Sequence, residues 1–100
     1  MMIHDKLILE KLLLRTSSTE EFTDINRTNL NSVFTDFKSI IKKLNDNDPN
    51  TFNGVANLSE IIDAKELIIE SKSVKEKRDS YNDFRDRLIG AIEWTIAHLN

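Results

Sequence analysis

From Ser73 to Asn100 the chain places Val74, Tyr81, Phe84, Leu88, Ile92, Thr95 and Leu99 at steps of three, four or seven. That spacing lines them along one face of a helix. Ser73, with Glu76 three residues on, supplies a capping-box start. The same stretch holds the only tyrosine and the only tryptophan. A helix with so long an apolar face needs other helices to cover it. Two glycines and one proline in 100 residues leave little room for a turn-rich β fold. The expectation is an all-α bundle.

One hundred residues suffice for a single domain, 1–100, burying roughly two thirds of the surface its unfolded chain would expose. With no cysteine there is no thiolate chemistry and no disulfide framework, which suits a reducing compartment and predicts a cytoplasmic protein. Fourteen basic residues against seventeen acidic ones give a net charge of -3, which argues against a general nucleic-acid binder. The opening MMIHDKLILEKLLLR is apolar but interrupted by Asp5, Lys6, Glu10 and Lys11. It lacks a signal-peptide core, and no run in the chain approaches the ~20 residues of a membrane span. Ten asparagines and twelve isoleucines suggest an AT-rich coding sequence and a bacterial or phage source.

Taken in order, Ile3 to Arg15 reads as a helix whose apolar residues wrap most of its circumference. Such a helix is either central or half-buried against a second chain, so a homodimer is one expectation. Ser17 with Glu20, or Ser18 with Glu21, then gives a helix start. It predicts a short helix over 19–26, a break at Asn26 to Asn29 and a long helix over 29–45. Leu30, Val33, Phe34, Phe37, Ile40, Ile41 and Leu44 form the stripe of that long helix, an arc of ~120°. Residues 45–54 read as the one true loop, with Asp48 capping at most a single turn at Pro49. Asn57, with Glu60 at N3, is expected to cap a third helix whose buried face is Leu58, Ile61, Ile62, Ile68 and Ile69. Lys65 in the middle of that face would snorkel outward. Ser71 to Ser73 reads as a turn, the alternative being one continuous rod. The sum is a bundle of four main helices in up-and-down order, or five with the second helix broken.

No chemistry-bearing motif withstands inspection. An EF-hand begun at Asp46 puts Thr51 at the glycine position and Asn57 at the glutamate position; one begun at Asp48 puts Asn53 and Ser59 there. His4 and His98 fall in no ligand spacing. Asp79, Asp83, Asp86 and Glu93 share a side of the last helix, but no helical Glu-x-x-His accompanies them, and interleaved Arg78, Arg85 and Arg87 suggest a solvated face. No metal, cofactor or enzymatic activity is therefore expected. The most basic stretch, Lys72, Lys75, Lys77 and Arg78, could meet phosphate or an acidic partner. Trp94 points away from the Tyr81–Leu88–Leu99 face, among Arg87, Gly90 and Ala97. Either it lies in the core of a helix packed on both sides or it anchors an interface, where Trp and Arg are over-represented.

These residues support a small protein-binding module: an inhibitor, immunity or antitoxin-like partner, or adaptor. Leu9, Leu13, Arg87, Gly90, Trp94 and Ala97 form the expected interface. The alternative is a dimeric nucleic-acid-associated regulator using residues 72–78.

Overall fold

A computed structural model describes residues 2–99, with side chains from residue 4 onward. Five helices follow in order: α1 (Met2–Thr16), α2 (Asp24–Asn47), α3 (Pro49–Ala56), α4 (Ser59–Glu70) and α5 (Val74–Ala97). The four longer ones alternate in direction. Lys43 of α2 meets Asp5 of α1 while Arg15 meets Asp36, so α1 and α2 are antiparallel. Arg87 meets Glu60 and Lys77 meets the Ile68 carbonyl, so α4 and α5 are antiparallel too. An edge-on contact of Phe34 with Phe84, centroids 5.6 Å apart, joins the two halves. The architecture is the expected all-α, up-and-down bundle.

α5 is the shared wall. It packs against each of the other four helices, whereas α4 packs on α5 alone. Tyr81, Phe84, Leu88 and Ile92 are completely buried, as are Leu9 from α1 and Leu30, Val33 and Phe37 from α2. Each such side chain contributes about 1.5–3 kcal/mol. Of the predicted α5 stripe only Val74, in the first turn, is exposed. Ser73 caps the helix as its spacing implied, its hydroxyl accepting from the Glu76 N–H at 3.1 Å. Ile3's expected place on the apolar surface of α1 lies outside the described side chains.

The segment between α1 and α2 departs from expectation. No separate short helix forms over 19–26; residues 19–23 are non-helical, and α2 runs unbroken from Asp24 with Thr23 as its N-cap, its hydroxyl accepting from the Asn26 N–H. The hydroxyls of Ser17 and Ser18 instead donate back to the Leu14 and Arg15 carbonyls at the end of α1. What overrides the local cap signals is α5. The Tyr81 hydroxyl donates to the Thr19 carbonyl at 2.6 Å. Arg85 donates from Nε to the Thr19 hydroxyl and from Nη2 to the Thr16 carbonyl. Phe22 lies against the Tyr81 ring, centroids 5.2 Å apart. A helix begun at Thr19 would break this arrangement.

Two further corrections concern the middle of the chain. Residues 45–54 are not one loop, because the chain turns at Asp48 and at once re-enters a helix, α3. The Asp48 N–H closes α2 on the Leu44 carbonyl, while its carboxylate accepts from the Thr51 N–H and hydroxyl to open α3. Pro49 follows at the first helical position, where its missing N–H costs nothing. Phe52 then buries its ring and commits the two turns of α3 to the core. Asn57 does not cap α4. Leu58 does, in the left-handed conformation (φ 57°) and with no side-chain hydrogen bond. Its own side chain packs against the core, which offsets a strain of about 1–2 kcal/mol. The turn also rotates α4 so that Ile61, Ala64 and Ile68 face α5, and Ile62 and Ile69, expected inside, face outward. Lys77 donates to the Ile68 and Ile69 carbonyls and so helps end α4 before Ser71–Ser73; helices α4 and α5 are not one rod.

Burial pushes the Tyr81 phenol above its ordinary value of 10.0, against smaller lowering effects of Thr19 and Arg85. The folded state therefore holds this proton more tightly than the unfolded chain. Its contribution is complete below pH ~10 and declines as pH rises through the folded value. Tyr81→Phe is expected to lose about 1–2 kcal/mol at neutral pH, the cost of an unsatisfied buried carbonyl. In urea denaturation across pH 7–11, the substituted protein should show a shallower alkaline decline than the wild type. Parallel curves would deny the phenol this role.

Candidate functional site

The expected interface residues divide sharply once placed. Leu9 is fully enclosed by its own chain and cannot meet a partner; it is removed from the interface because its side of α1 faces α2 and α5. Leu13 is half-buried against the same core. α1 instead exposes Leu7 (53%) and Leu14 (72%), one heptad apart on its outer side. Arg87, Gly90, Trp94 and Ala97 share one face of α5; Trp94 meets Phe52 of α3 and Arg87 meets Glu60 of α4, while Gly90 and Ala97 are exposed.

Trp94 is neither in the core nor freely solvated. It is 39% exposed, its edge meets the Phe52 ring at 6.2 Å and 84°, and its face is stacked by the His98 imidazole at 3.8 Å. His98 Nδ1 lies 2.8 Å from the Trp94 carbonyl, a contact that holds the imidazole over the indole. An exposed indole fixed on two sides loses little rotamer freedom when something docks on it. Sequence reasoning places neither Phe52 nor His98 on this surface. The pairing of His98 with Trp94 at i,i+4 could have been read there, whereas Phe52 required knowing that Asp48–Pro49 opens a helix.

A groove of about 440 Å³ runs between α3, the start of α4 and α5, lined by the apolar Gly54, Val55, Leu58, Ile61 and Ala91 and by the polar Asn57, Ser59 and Glu60, with Arg87 at its rim. Arg87 is held by Glu60 of α4 at 3.0 Å and by Asp83 at 3.1 Å. The Asp83 hydrogen bond first, then the charges of Asp83 and Glu60, raise its pKa further, so it is cationic throughout. Both glycines of the chain sit within helices, Gly54 in the wall of this groove and Gly90 exposed on α5 one turn before Trp94. A Cβ built on either would meet nothing within 4 Å. Glycine in a helix costs roughly 0.5–1 kcal/mol relative to alanine, and no close approach within the molecule accounts for it here.

The basic segment is dispersed by its own neighbours. Lys77 is engaged with the end of α4, Lys75 pairs with Asp79 at 3.0 Å, and Arg78 borders a hollow shared with Glu20 and Glu21. Only Lys72 points into solvent without an acidic neighbour described beside it. Among the described residues no group of carboxylates, histidines or cysteines is arranged to hold a metal ion, and no helix is long and apolar enough to cross a membrane.

Comparison with protein families, with curated proteins and with solved structures finds no match to this chain.

Gly90→Ala should raise stability by about 0.5–1 kcal/mol, seen as a thermal midpoint higher by several degrees in a domain of this size. An unchanged or lower midpoint would mean that part of the protein itself leans on this position.

Proposed function

We propose that this chain is a small non-enzymatic protein-binding module that acts by covering a surface of another protein, as an inhibitor, immunity or antitoxin-like partner, or adaptor does. The observation that carries this reading is Trp94, a large indole held in place by Phe52 and His98 yet 39% exposed, on the same helix as Arg87 and Ala91 of a groove of mixed polar and apolar lining. Tryptophan and arginine dominate interface hot spots. A pre-positioned indole with Arg87, and glycines that let another backbone come close, is the composition such a hot spot takes. Self-association through the leucines of α1 belongs to the same reading, as does a cytoplasmic setting in a bacterium or phage. The nucleic-acid-associated regulator is the weaker alternative, because Lys75 and Lys77 are already engaged within the chain.

The test is affinity capture from the native host with the wild type beside Trp94→Ala and Leu14→Asp, each also sized by light scattering. Trp94→Ala should abolish recovery of the partner while the fold is retained, since the ring is on the surface. Leu14→Asp should affect only self-association. Full recovery with Trp94→Ala would remove the indole from the interface.

A further inference from the structure

The chain's entire net charge resides on one helix. α4 carries Glu60, Asp63, Glu66 and Glu70 against Lys65 alone, a balance of -3 that equals the whole protein's, and the remaining thirteen acids and thirteen bases cancel. Lys65 does not relieve the outer face: its side chain is partly buried and its ammonium lies 5.8 Å from the centre of the Phe34 ring, toward α2. Glu60 is held by Arg87. Asp63, Glu66 and Glu70 form a ridge at i, i+3 and i+7, exposed and with no hydrogen bond or ion pair among the described residues. Apolar side chains flank that ridge on both sides, Ile62 (37% exposed) and Ile69 (64% exposed) on one and Leu67 (49% exposed) on the other. Among the described residues α4 packs on α5 alone, and no other helix covers this face.

We propose that the outer face of α4 is a second docking surface, distinct from Trp94, and that its occupant is a cationic amphipathic helix of a partner protein. Charge complementarity selects that occupant. Three uncompensated carboxylates repel nucleic-acid phosphates and anionic lipid headgroups alike. A two-fold pairing of α4 with its own copy would set the same carboxylates against each other. A helix bearing lysines or arginines satisfies the ridge, while its leucines or isoleucines cover the flanks. Ile62 and Ile69 lie two turns apart, about 10 Å, so two to three turns of partner helix suffice.

The probe is a synthetic leucine–lysine peptide of about five amphipathic turns, with a scrambled peptide of the same composition as control, titrated by calorimetry. The wild type should bind the amphipathic peptide at least tenfold more tightly than the scrambled one. Ile62→Ser/Ile69→Ser should weaken binding about tenfold at any salt, and Glu66→Lys should weaken it most at low salt. Trp94→Ala should leave it unchanged, which separates this surface from the one proposed above. Glu66 and Ile69 are well exposed, so substituting them should alter stability by no more than about 0.5 kcal/mol. Ile62 and Trp94 are only 37% and 39% exposed, so their variants should lose about 1–2 kcal/mol and are titrated well below their melting midpoints. Equal binding of both peptides, or unaltered affinity in both α4 variants, overturns the proposal. So does self-association of the protein that the α4 substitutions abolish.

Discussion

The fold rests on the need to cover α5 along its whole buried side. Tyr81, Phe84, Leu88 and Ile92 admit no water, and no single neighbouring helix is wide enough to enclose them. α1 and α2 close one side and α4 another, while α3 folds back toward the C-terminal end of α5 and sets its Phe52 against Trp94. The Tyr81 and Arg85 hydrogen bonds to Thr16 and Thr19 then fasten the α1–α2 connection to the same helix. A connection without regular structure thereby becomes a fixed part of the core. The Thr19 carbonyl, which would otherwise be buried without a partner, accepts from Tyr81, and the Thr16 carbonyl accepts from Arg85 in addition to the N–H and hydroxyl of Thr19.

Periodicity was the part of this arrangement that could be read in the residues. The stripes of α2 and α5 are long, so one displaced residue does not hide them, and Ser73 signals its helix unambiguously. Short-range signals failed where tertiary contacts competed with them. The capping pairs at Ser17 and Ser18 are genuine local preferences, yet Thr19 gains more from Tyr81 and Arg85 than a new helix could return. Asn57 was the better cap by composition, but placing Leu58 against the core required the left-handed turn to fall there. That turn also fixes the rotation of α4. Periodicity alone cannot choose between Ile61–Ala64–Ile68 and Ile62–Ile69 as the buried set, because both are apolar. Of the proposed interface, the α5 stripe held together, and Leu9 was lost because helical phase on α1 is ambiguous when leucines surround it.

The accessible surface, 6262 Å², is within about a tenth of the ~5,800 Å² typical of an 11.6 kDa chain. Surplus apolar surface therefore does not mean a poorly closed core. Apart from Ile25 and Val74, exposed singly in the first turns of α2 and α5, it falls in three places: leucines on the outer side of α1, an indole on α5, and Ile62, Leu67 and Ile69 around a carboxylate ridge on α4. These three places differ in chemistry. The first is apolar with Glu10 and Lys11 between its leucines, the second aromatic with a single fixed cation, the third acidic. Under the protein-binding role proposed above, such separation would keep different partners distinct.

The claim that α5 is the wall on which every other helix depends is tested most directly by native-state hydrogen exchange. Amides from Tyr81 to Ile92 should be the slowest in the molecule and should exchange only through global unfolding. Those of α4, which leans on α5 alone, should open earlier and at lower free energy. If the amides of α5 exchanged as readily as those of α4 while α2 remained protected, the claim would fail, and α2 would be the helix around which the fold is organised.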